Sequence, residues 1–463
     1  MMLTYTLHHG GEQPLYEQLY QAIRQDILTG GIAAGEKLPS KRALSEHLNV
    51  SKITVETAYA QLAAEGYVYS RQRSGYFVEE IPLADRGLPA PAQRVGAPRE
   101  EPETPASPSA ELFPFSVWAK LMRGVILDKE PNLLQPVPNQ GLYALREAIA
   151  DDLFRRRGIR ARPEQIIIGA GAEYFYNQLI QFFGRERVYG LETPGHRSIV
   201  RVYEANGARY IPLTMDGDGI LPEELERSGV SVVHLSPSHH YPTGIVTPIS
   251  RRQAIMRWLT AEPGRFLIED DYDSEFRFSG RPIPTMQSMD WAGRVIYMNT
   301  FSKTIAPTLR ISYMILPERL LPLWRERMGF YSCAVASFEQ LTLTRFLQDG
   351  YFERHLSRMK KHYRALRSQL MEILAQPPIS EVCHVERADA GLHFLLRFHT
   401  ELSDPALQKL LLRCGLQAPM LSEFYNGSAE KTAAGCVVIR YADLSPETFR
   451  QAVTKAAEAL QSE

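Results

Sequence analysis

The first 80 residues carry a helical pattern of apolar positions. One stripe recurs every four residues and consists of Leu15, Leu19, Ile23 and Ile27. This spacing predicts an amphipathic helix that ends at Gly30-Gly31. A second short helix is expected after Ser40, ending at a turn at residues 49–50, and Ser51 is placed to cap a third helix that runs to about residue 65.

Two short helices joined by a tight turn predict a helix-turn-helix, whose second helix enters the DNA major groove with its N-terminal residues at the base edges. Here those residues are Ser51, Lys52, Thr54 and Glu56. The alternating segment YVYSRQRSGYFV then predicts a β-hairpin that turns at Ser74-Gly75. We expect Arg71 and Arg73, near its tip, to meet phosphate or the minor groove. The alternative is an interaction module that binds no DNA, because residues 1–80 contain seven Lys or Arg against nine Asp or Glu.

A proline-rich stretch separates this module from the rest of the chain. Residues 82–114 contain eight prolines and almost no periodic apolar signal, which is typical of a semi-extended linker. A chain of 463 residues is also too long for one hydrophobic core, since single cores stop growing at about 250–300 residues. We therefore expect a DNA-binding domain over residues 12–80, a linker over 81–114 and a large domain over 115–463.

The large domain alternates short apolar strands with helical stretches. The expected strands lie in QIIIGAG, RVYGLE, RYIPLTM, VSVVHLS, RFLIEDD, RVIYMNT and ISYMILP. Because these segments are apolar throughout, they predict a sheet covered on both faces, and hence an α/β domain with a mostly parallel sheet. Such sheets bind ligands at the carboxyl ends of their strands, so the polar residues after these segments are the candidates for chemistry.

Two of these segments are followed by residues suited to a charged ligand. After QIII, Gly171 and Ala172 open a helix whose N–H groups can cradle a phosphate, although a tight turn without a ligand has the same sequence. After RFLI comes an acidic cluster that includes Asp270. Clustered carboxylates are costly at a strand end unless they meet a cation or metal, and a helix N-terminus is the alternative explanation.

A third segment, RVIYM, leads into a lysine. Thr300 and Ser302 precede Lys303, and Arg310 follows. A lysine at a partly desolvated strand end can form a Schiff base with an aldehyde. Together the three clusters suit pyridoxal 5'-phosphate (PLP), with the phosphate held by Gly171, Ala172, Thr300, Ser302 and Arg310, the aldehyde on Lys303 and the ring nitrogen facing Asp270.

Composition narrows the setting of the protein. The formal net charge of −1 attracts neither nucleic acid nor membrane as a whole, so DNA binding has to come from locally placed cations. The four cysteines form no CxxC pair, which indicates neither a disulfide framework nor a zinc site, and we expect no metal. No apolar stretch reaches the ~18 residues needed to span a bilayer. We expect a cytoplasmic protein without a membrane partner.

Two family resemblances agree with these predictions. Residues 12–78, through GGIAAGEKLPSKRALSEHLNVSKITVETAYAQLAAEGYV, resemble the winged helix of GntR-type regulators. Residues 115–460, through PSHHYPTG, IEDDYDSEF and NTFSKTIAPTLRISYMILP, resemble a fold-type I, class I aminotransferase domain with a small C-terminal α+β subdomain. The chain is thus similar to the MocR/GabR family of transcription regulators. The resemblance implies operator DNA as a partner, PLP as cofactor and a homodimer.

The resemblance also implies roles for single residues. In the large domain Lys303 resembles the Schiff-base lysine, Asp270 the partner of the ring nitrogen, Tyr272 a contact to the ring hydroxyl, His196 the ring-stacking residue and Arg440 the holder of an effector carboxylate. For His196 a histidine satisfied within its loop, and for Arg440 a surface arginine, are the alternatives. In the N-terminal module, the positions that contact DNA in the family are Arg42, Ser51, Lys52, Thr54 and Gly75.

Two positions depart from the aminotransferase pattern. Tyr241 stands where an asparagine usually bonds the cofactor hydroxyl, and we expect His240 or Tyr272 to take that role. Pro136 stands where a tyrosine usually reaches the partner subunit's phosphate, which puts that contact in doubt.

Three functions remain open at this point. The first is a regulator that senses PLP itself, or an amine or amino acid that exchanges with the Lys303 aldimine. We expect such a regulator to have no physiological turnover, with a vestigial half-reaction left open. The second is a working aminotransferase with an accessory N-terminal module, and the third is a scaffold without cofactor. The winged helix favours the first, since a metabolic transaminase has no need of it.

Overall fold

The computed structural model describes residues 3–8, 13–71, 74–80, 112–128, 131–278, 283–388, 390–426 and 433–462. It divides the chain into two compact units, residues 1–103 and 104–463. No helix among the described residues is long and apolar enough to cross a membrane.

The N-terminal unit is a helix-turn-helix followed by a hairpin. Its elements are α1 (Leu15–Thr29), α2 (Lys41–Leu48), α3 (Lys52–Ala64), β1 (Val68–Arg71) and β2 (Gly75–Val78). Gly30 ends α1 in the left-handed conformation. The hydroxyl oxygens of Ser40 and Ser51 accept hydrogen bonds from the N–H groups of Ala43 and Thr54, and so cap α2 and α3. The predicted helices and hairpin are confirmed.

The core of this unit joins α1 to α3. Leu19 and Ile23 of the predicted stripe are fully buried, as are Val55, Tyr59 and Leu62 on the opposing face of α3. The Tyr59 hydroxyl donates to the Pro39 carbonyl oxygen at 3.0 Å, so the one polar atom of this ring is satisfied within the core.

The larger unit combines a large sheet and a small sheet with helices. Its α-helices are α4 (Phe115–Leu127), α5 (Tyr143–Arg157), α6 (Ala172–Phe183), α7 (Arg197–Ala205), α8 (Pro222–Ser228), α9 (Ile249–Ala261), α10 (Leu321–Met328), α11 (Ser337–Gln348), α12 (Tyr351–Leu374), α13 (Ile379–Val382), α14 (Asp404–Arg413) and α15 (Pro446–Gln461). Short 3₁₀ helices lie at Pro131–Leu134, Pro163–Gln165, Ser274–Phe276, Gln287–Met289, Glu318–Leu320 and Leu421–Phe424.

The strands of the large sheet are β3 (Ile166–Gly169), β4 (Val188–Thr193), β5 (Arg209–Asp216), β6 (Gly219–Ile220), β7 (Val232–Leu235), β8 (Phe266–Asp270), β9 (Val295–Thr300) and β10 (Ser312–Ile315). Their order is β3-β10-β9-β8-β7-β4-β5-β6. Neighbouring strands from β9 to β5 run parallel, whereas β10 lies antiparallel to both β3 and β9. All the predicted strands are confirmed, in a mostly parallel central sheet with an antiparallel β10.

Both faces of the sheet are covered, as the apolar strands predicted. Ile167 packs in a cluster with Phe175 of α6, whereas its neighbours Ile166 and Ile168 pack with α5 and α11 on the other face. A separate antiparallel sheet of β11 (Cys383–Glu386), β12 (His393–Phe398) and β13 (Cys436–Arg440) forms the C-terminal α+β part. Its core includes buried residues of α12, α14 and α15.

Candidate functional site

A cavity of about 230 Å³ opens at the carboxyl ends of the central strands. It brings together nearly all the residues that the sequence predicts for PLP. Its walls include Ala172, His196, His240, Asp270, Tyr272, Thr300, Ser302, Lys303, Arg310 and Arg440. Gly171 is not part of the wall, but it adjoins Arg310: a Cβ atom at Gly171 would lie 2.5 Å from Arg310 Nη2.

Helix α6 starts at one corner of this cavity, and its N-cap residue Gly171, with φ of 103°, has no side chain to cap it. The positive end of the helix dipole therefore points into this corner. Arg310 lies 3.3 Å from the Glu173 carboxylate, and both side chains are about half exposed. The Ser302 N–H and hydroxyl each lie 3.1 Å from Thr300 Oγ1.

The wall of the first cavity also contains the buried carboxylate of Asp270. Asp270, at the end of β8, is 5% exposed, and the Tyr176 hydroxyl donates to its Oδ2 atom at 2.5 Å. His234 Nε2 lies 3.6 Å from the same oxygen. Burial beside Asp270 raises the pKa of the Tyr176 phenol well above its ordinary value, so Tyr176 stays a donor to the carboxylate.

Three other carboxylates of the acidic cluster, in β8 and just after it, have partners outside the first cavity. Glu269 accepts from the backbone N–H groups of Met286 and Gln287 at 2.8 Å each. Asp271 pairs with Arg157 at 2.8 Å. Asp273 accepts from His239 Nδ1 at 2.9 Å. Each of these three carboxylates thus has at least one partner of its own, and Asp270 is the member of the acidic cluster that lines the first cavity.

His240, in the loop that follows β7, belongs to a buried network of polar side chains. His240 is 1% exposed, and its Nδ1 atom lies 2.7 Å from Thr243 Oγ1. Its Nε2 atom lies 3.5 Å from Glu192 Oε2, which accepts from the Ser236 N–H at 2.9 Å. Burial lowers the pKa of His240 to about 3 and raises that of Glu192 to about 8, so both side chains are neutral at pH 7.

Tyr272 lines the first cavity together with His240 and Glu192. Its hydroxyl oxygen is 3.3 Å from His239 Nδ1, the atom that also bonds Asp273. Burial raises the pKa of the Tyr272 phenol well above its ordinary value. A neutral phenol at this position can donate a hydrogen bond to an anionic oxygen in the cavity. Among the described residues, the buried side chains of His239, Asp273 and His393 have ligand atoms close enough together to hold a metal ion.

Lys303 lies on the boundary between two cavities. The second cavity, of about 370 Å³, shares with the first the residues Tyr241, Tyr272, Ser302, Lys303 and Arg440. Lys303 is exposed to the space of these two cavities. Arg440, at the end of β13, is also exposed.

Two further positions singled out in the sequence are His196 and Pro136. The exposed His196 caps α7 by accepting from the Ser198 N–H at 3.2 Å, and its ring centroid lies 5.2 Å from that of Tyr241. Pro136 is exposed and lies outside the walls of both cavities.

In the N-terminal unit, the predicted DNA contacts lie on α2, α3 and the hairpin. Arg42 pairs with Glu46 at 2.8 Å on the surface of α2. Ser51 caps α3, and Lys52 is exposed at its first position. The Thr54 hydroxyl lies 2.8 Å from Ser51 Oγ.

The hairpin holds its described cation against aromatic rings. The Arg71 guanidinium lies 5.3 Å from the Tyr69 ring centroid and 5.0 Å from that of Phe77. Gly75 starts β2 with φ of 106°, a conformation that favours glycine. Arg73 lies outside the described residues.

Sequence reasoning missed several residues of the first cavity, and Tyr176, Glu192 and His234 are the three that lie around its buried carboxylates. Two of them left a signal, since Glu192 and His234 are polar interruptions of strands that are otherwise apolar. Tyr176 left none, because it reads as one more apolar position of the amphipathic α6.

Comparison with known proteins defines the class first. Residues 15–78 match the model of the gntR family of bacterial regulatory proteins, and residues 108–455 match that of class I and II aminotransferases. The larger unit resembles α-aminoadipate aminotransferase from Thermus thermophilus, with a TM-score of 0.66 and 24% identity over 78% of this chain and 91% of that one. The fold is therefore a winged helix-turn-helix joined to an aminotransferase-type domain.

Relatives of full length then identify the family. An uncharacterised HTH-type transcriptional regulator from Bacillus subtilis, YdeL, is 35% identical over 98% of both chains. The probable rhizopine catabolism regulatory protein MocR from Rhizobium meliloti is 30% identical over 96% of this chain and 94% of its own. This chain belongs to the MocR/GabR family of transcription regulators. It is a DNA-binding regulator, which favours the first of the three functions over a working aminotransferase with an accessory N-terminal module.

Proposed function

We propose that this regulator holds PLP in the first cavity, on Lys303, and senses PLP itself, an amine or an amino acid there. The observation that carries the proposal is that Lys303 and Arg440 line both cavities. When bound, the cofactor supplies an aldehyde that reacts with amines and a ring that acts as electron sink. The related Thermus structure is described as a complex with N-(5'-phosphopyridoxyl)-L-leucine, which supports this choice of cofactor.

The phosphate belongs in the corner at the start of α6. Backbone N–H groups of Gly171 and Ala172 would hold it at the positive end of the helix dipole, and Arg310 supplies a charge-assisted donor. The hydroxyls of Thr300 and Ser302 lie on the same side, next to each other. These residues fit a phosphate because they present donors and one cation within a cavity that also contains Lys303.

The pyridine ring of the cofactor would lie in the first cavity against the side chain of His196. Asp270 is suited to hold a proton at the ring nitrogen, and Tyr176 keeps this carboxylate in place. Tyr272 and the neutral His240 are the candidates to bond the ring hydroxyl in place of the asparagine that Tyr241 replaces.

The effector belongs in the second cavity. Arg440 would hold its carboxylate, and its amine would compete with the Lys303 amine for the aldehyde that a bound cofactor would supply. Effector binding of this kind would leave the Lys303 amine free and would add a charged group beside Arg440. It can shift a conformational equilibrium only to the extent that the two states bind the effector differently. We infer that the site serves sensing rather than turnover.

Operator DNA is the proposed partner of the N-terminal unit. Arg42, Ser51, Lys52 and Thr54 would face the major groove and its phosphates, with Arg71, Arg73 and Gly75 at the hairpin. We infer domain limits of 12–80 and 115–463 around the linker, and a homodimer that presents two such units to spaced half-sites.

A visible absorbance titration of the purified full chain tests the sensing chemistry. PLP should give the wild type an absorbance band of bound cofactor, and some members of a panel of amines and amino acids should then shift it. Lys303→Ala should lack both responses. Lys409→Ala, which removes an exposed lysine on α14, should keep them. A wild-type spectrum that no amine changes would refute exchange at Lys303 as the sensing event.

A further inference from the structure

The exposed face of α3 carries methyl groups. Along this helix the buried positions are Val55, Ala58, Tyr59 and Leu62. Between Lys52 and Leu62 the exposed positions are Ile53, Glu56, Thr57 and Ala60. Residues three and four apart lie on the same helix face, so these four form one stripe that points away from the core. We call it the α3 stripe.

Ile53 is the unusual member of the α3 stripe. It lies in the first turn of the helix and is 73% exposed, and it is the one large exposed hydrophobic residue among the described part of the N-terminal unit. A single exposed isoleucine is ordinary on a general surface. In a helix-turn-helix, however, the first turn of the second helix is where base edges are met.

The charges around the stripe argue against guanine as its main target. Helix α3 contains one cation, Lys52, and no arginine. Its acidic residue, Glu56, is held by Lys41 of α2 at 2.6 Å. Bidentate guanine contacts come chiefly from arginine or lysine, so Lys52 is the one residue of α3 suited to them. The rest of the stripe offers mainly apolar groups.

We propose that Ile53 and Thr57 recognise thymine through its C5-methyl group. In the major groove, thymine is the base that presents an apolar group, and threonine and other methyl-bearing side chains are its usual contacts. Ile53 and Thr57 are one helical turn, or about 6 Å, apart along the helix, so they would face base pairs one or two steps apart. The proposal rests on the role of α3 as the reading helix.

The experiment begins by selecting binding sites from a pool of randomised DNA duplexes with the full-length protein. The selected half-site should contain thymine at one or two fixed positions. Replacing such a thymine by deoxyuridine removes one methyl group and nothing else. Burial of a methyl group contributes roughly 0.8 kcal/mol, so each replacement should weaken binding about 4-fold.

A double-mutant cycle assigns the methyl group to a side chain. With Ile53→Ala, the thymine duplex should bind more weakly, and deoxyuridine at the Ile53 position should cause no further loss. Thr57→Ser keeps the hydroxyl and removes the methyl, and should behave in the same way at the neighbouring position. Leu412→Ala truncates an exposed leucine on α14 and should leave the 4-fold effect intact.

Each result decides the proposal. If the full chain enriches no DNA sequence, α3 does not read bases, and both the proposed DNA recognition and the thymine contact are wrong. If a site is enriched but lacks fixed thymines, or if deoxyuridine weakens wild type and Ile53→Ala equally, α3 reads DNA without methyl recognition. If Ile53→Ala leaves DNA affinity unchanged, Ile53 makes no contact with a thymine methyl group and the proposal is wrong.

Discussion

Replacing Gly171 by alanine tests the proposed phosphate corner directly. The added Cβ would lie 2.5 Å from Arg310 Nη2 and 2.9 Å from its Cζ, far inside contact distance. Because the guanidinium is the end of a flexible side chain, it should move away from the added Cβ, and the domain should stay folded. A hydrogen bond to a charged group contributes about 1.5–3 kcal/mol, so its loss should weaken PLP binding roughly 10- to 150-fold.

Gly184, at the other end of α6, provides a matched control. Its φ and ψ of 101° and 145° resemble the 103° and 166° of Gly171, and an added Cβ there meets nothing within 4 Å. Alanine in this backbone region costs about 1–3 kcal/mol at either position. Both variants should therefore melt at similarly lowered temperatures, while only Gly171→Ala loses affinity in a PLP titration. Equal PLP affinity in the two variants would refute the proposed phosphate corner.

Three further predictions address other parts of the molecule. Tyr176→Phe removes the donor to Asp270 and should lower PLP affinity about 10-fold, as measured by titration; unchanged affinity would show that Asp270 needs no such support. Burial raises the pKa of Glu192 to about 8, so its contribution to stability is present at low pH and is lost as pH rises toward about 8. The melting temperature of Glu192→Gln should therefore rise relative to that of wild type as the pH increases from 5 to 8. A difference in melting temperature that stays constant over this range would contradict this prediction. Arg71→Ala should reduce the slope of log affinity for DNA against log salt by about 0.9, and an unchanged slope would remove Arg71 from the phosphate contacts.

Local sequence signals predicted the fold well. Ser40 and Ser51 act as helix caps, as their side-chain chemistry predicts. The direction of β10 was also within reach, because residues 301–311 contain no crossover helix, and a parallel connection usually requires one. The same short connection carries Lys303 into the site.

The site was predictable where its residues follow strands in sequence. Asp270 and Thr300 end β8 and β9, so the sheet itself brings them together. Contacts made across the sequence were not predictable. The hydroxyl of Tyr176 meets Asp270 from 94 residues away, and Arg157 meets Asp271 from 114. The exposure of Lys303 depends on open space in its surroundings, which no local pattern encodes.

We propose that ligand binding at the Lys303 site changes the affinity of the protein for its operator DNA. The most direct measurement is the affinity of the full chain for its selected duplex with and without PLP, for wild type and Lys303→Ala. Coupling between two sites typically amounts to about 1–3 kcal/mol, so PLP should change the wild-type dissociation constant roughly 5- to 150-fold and leave Lys303→Ala unchanged. A wild-type dissociation constant that is the same with and without PLP would contradict the account.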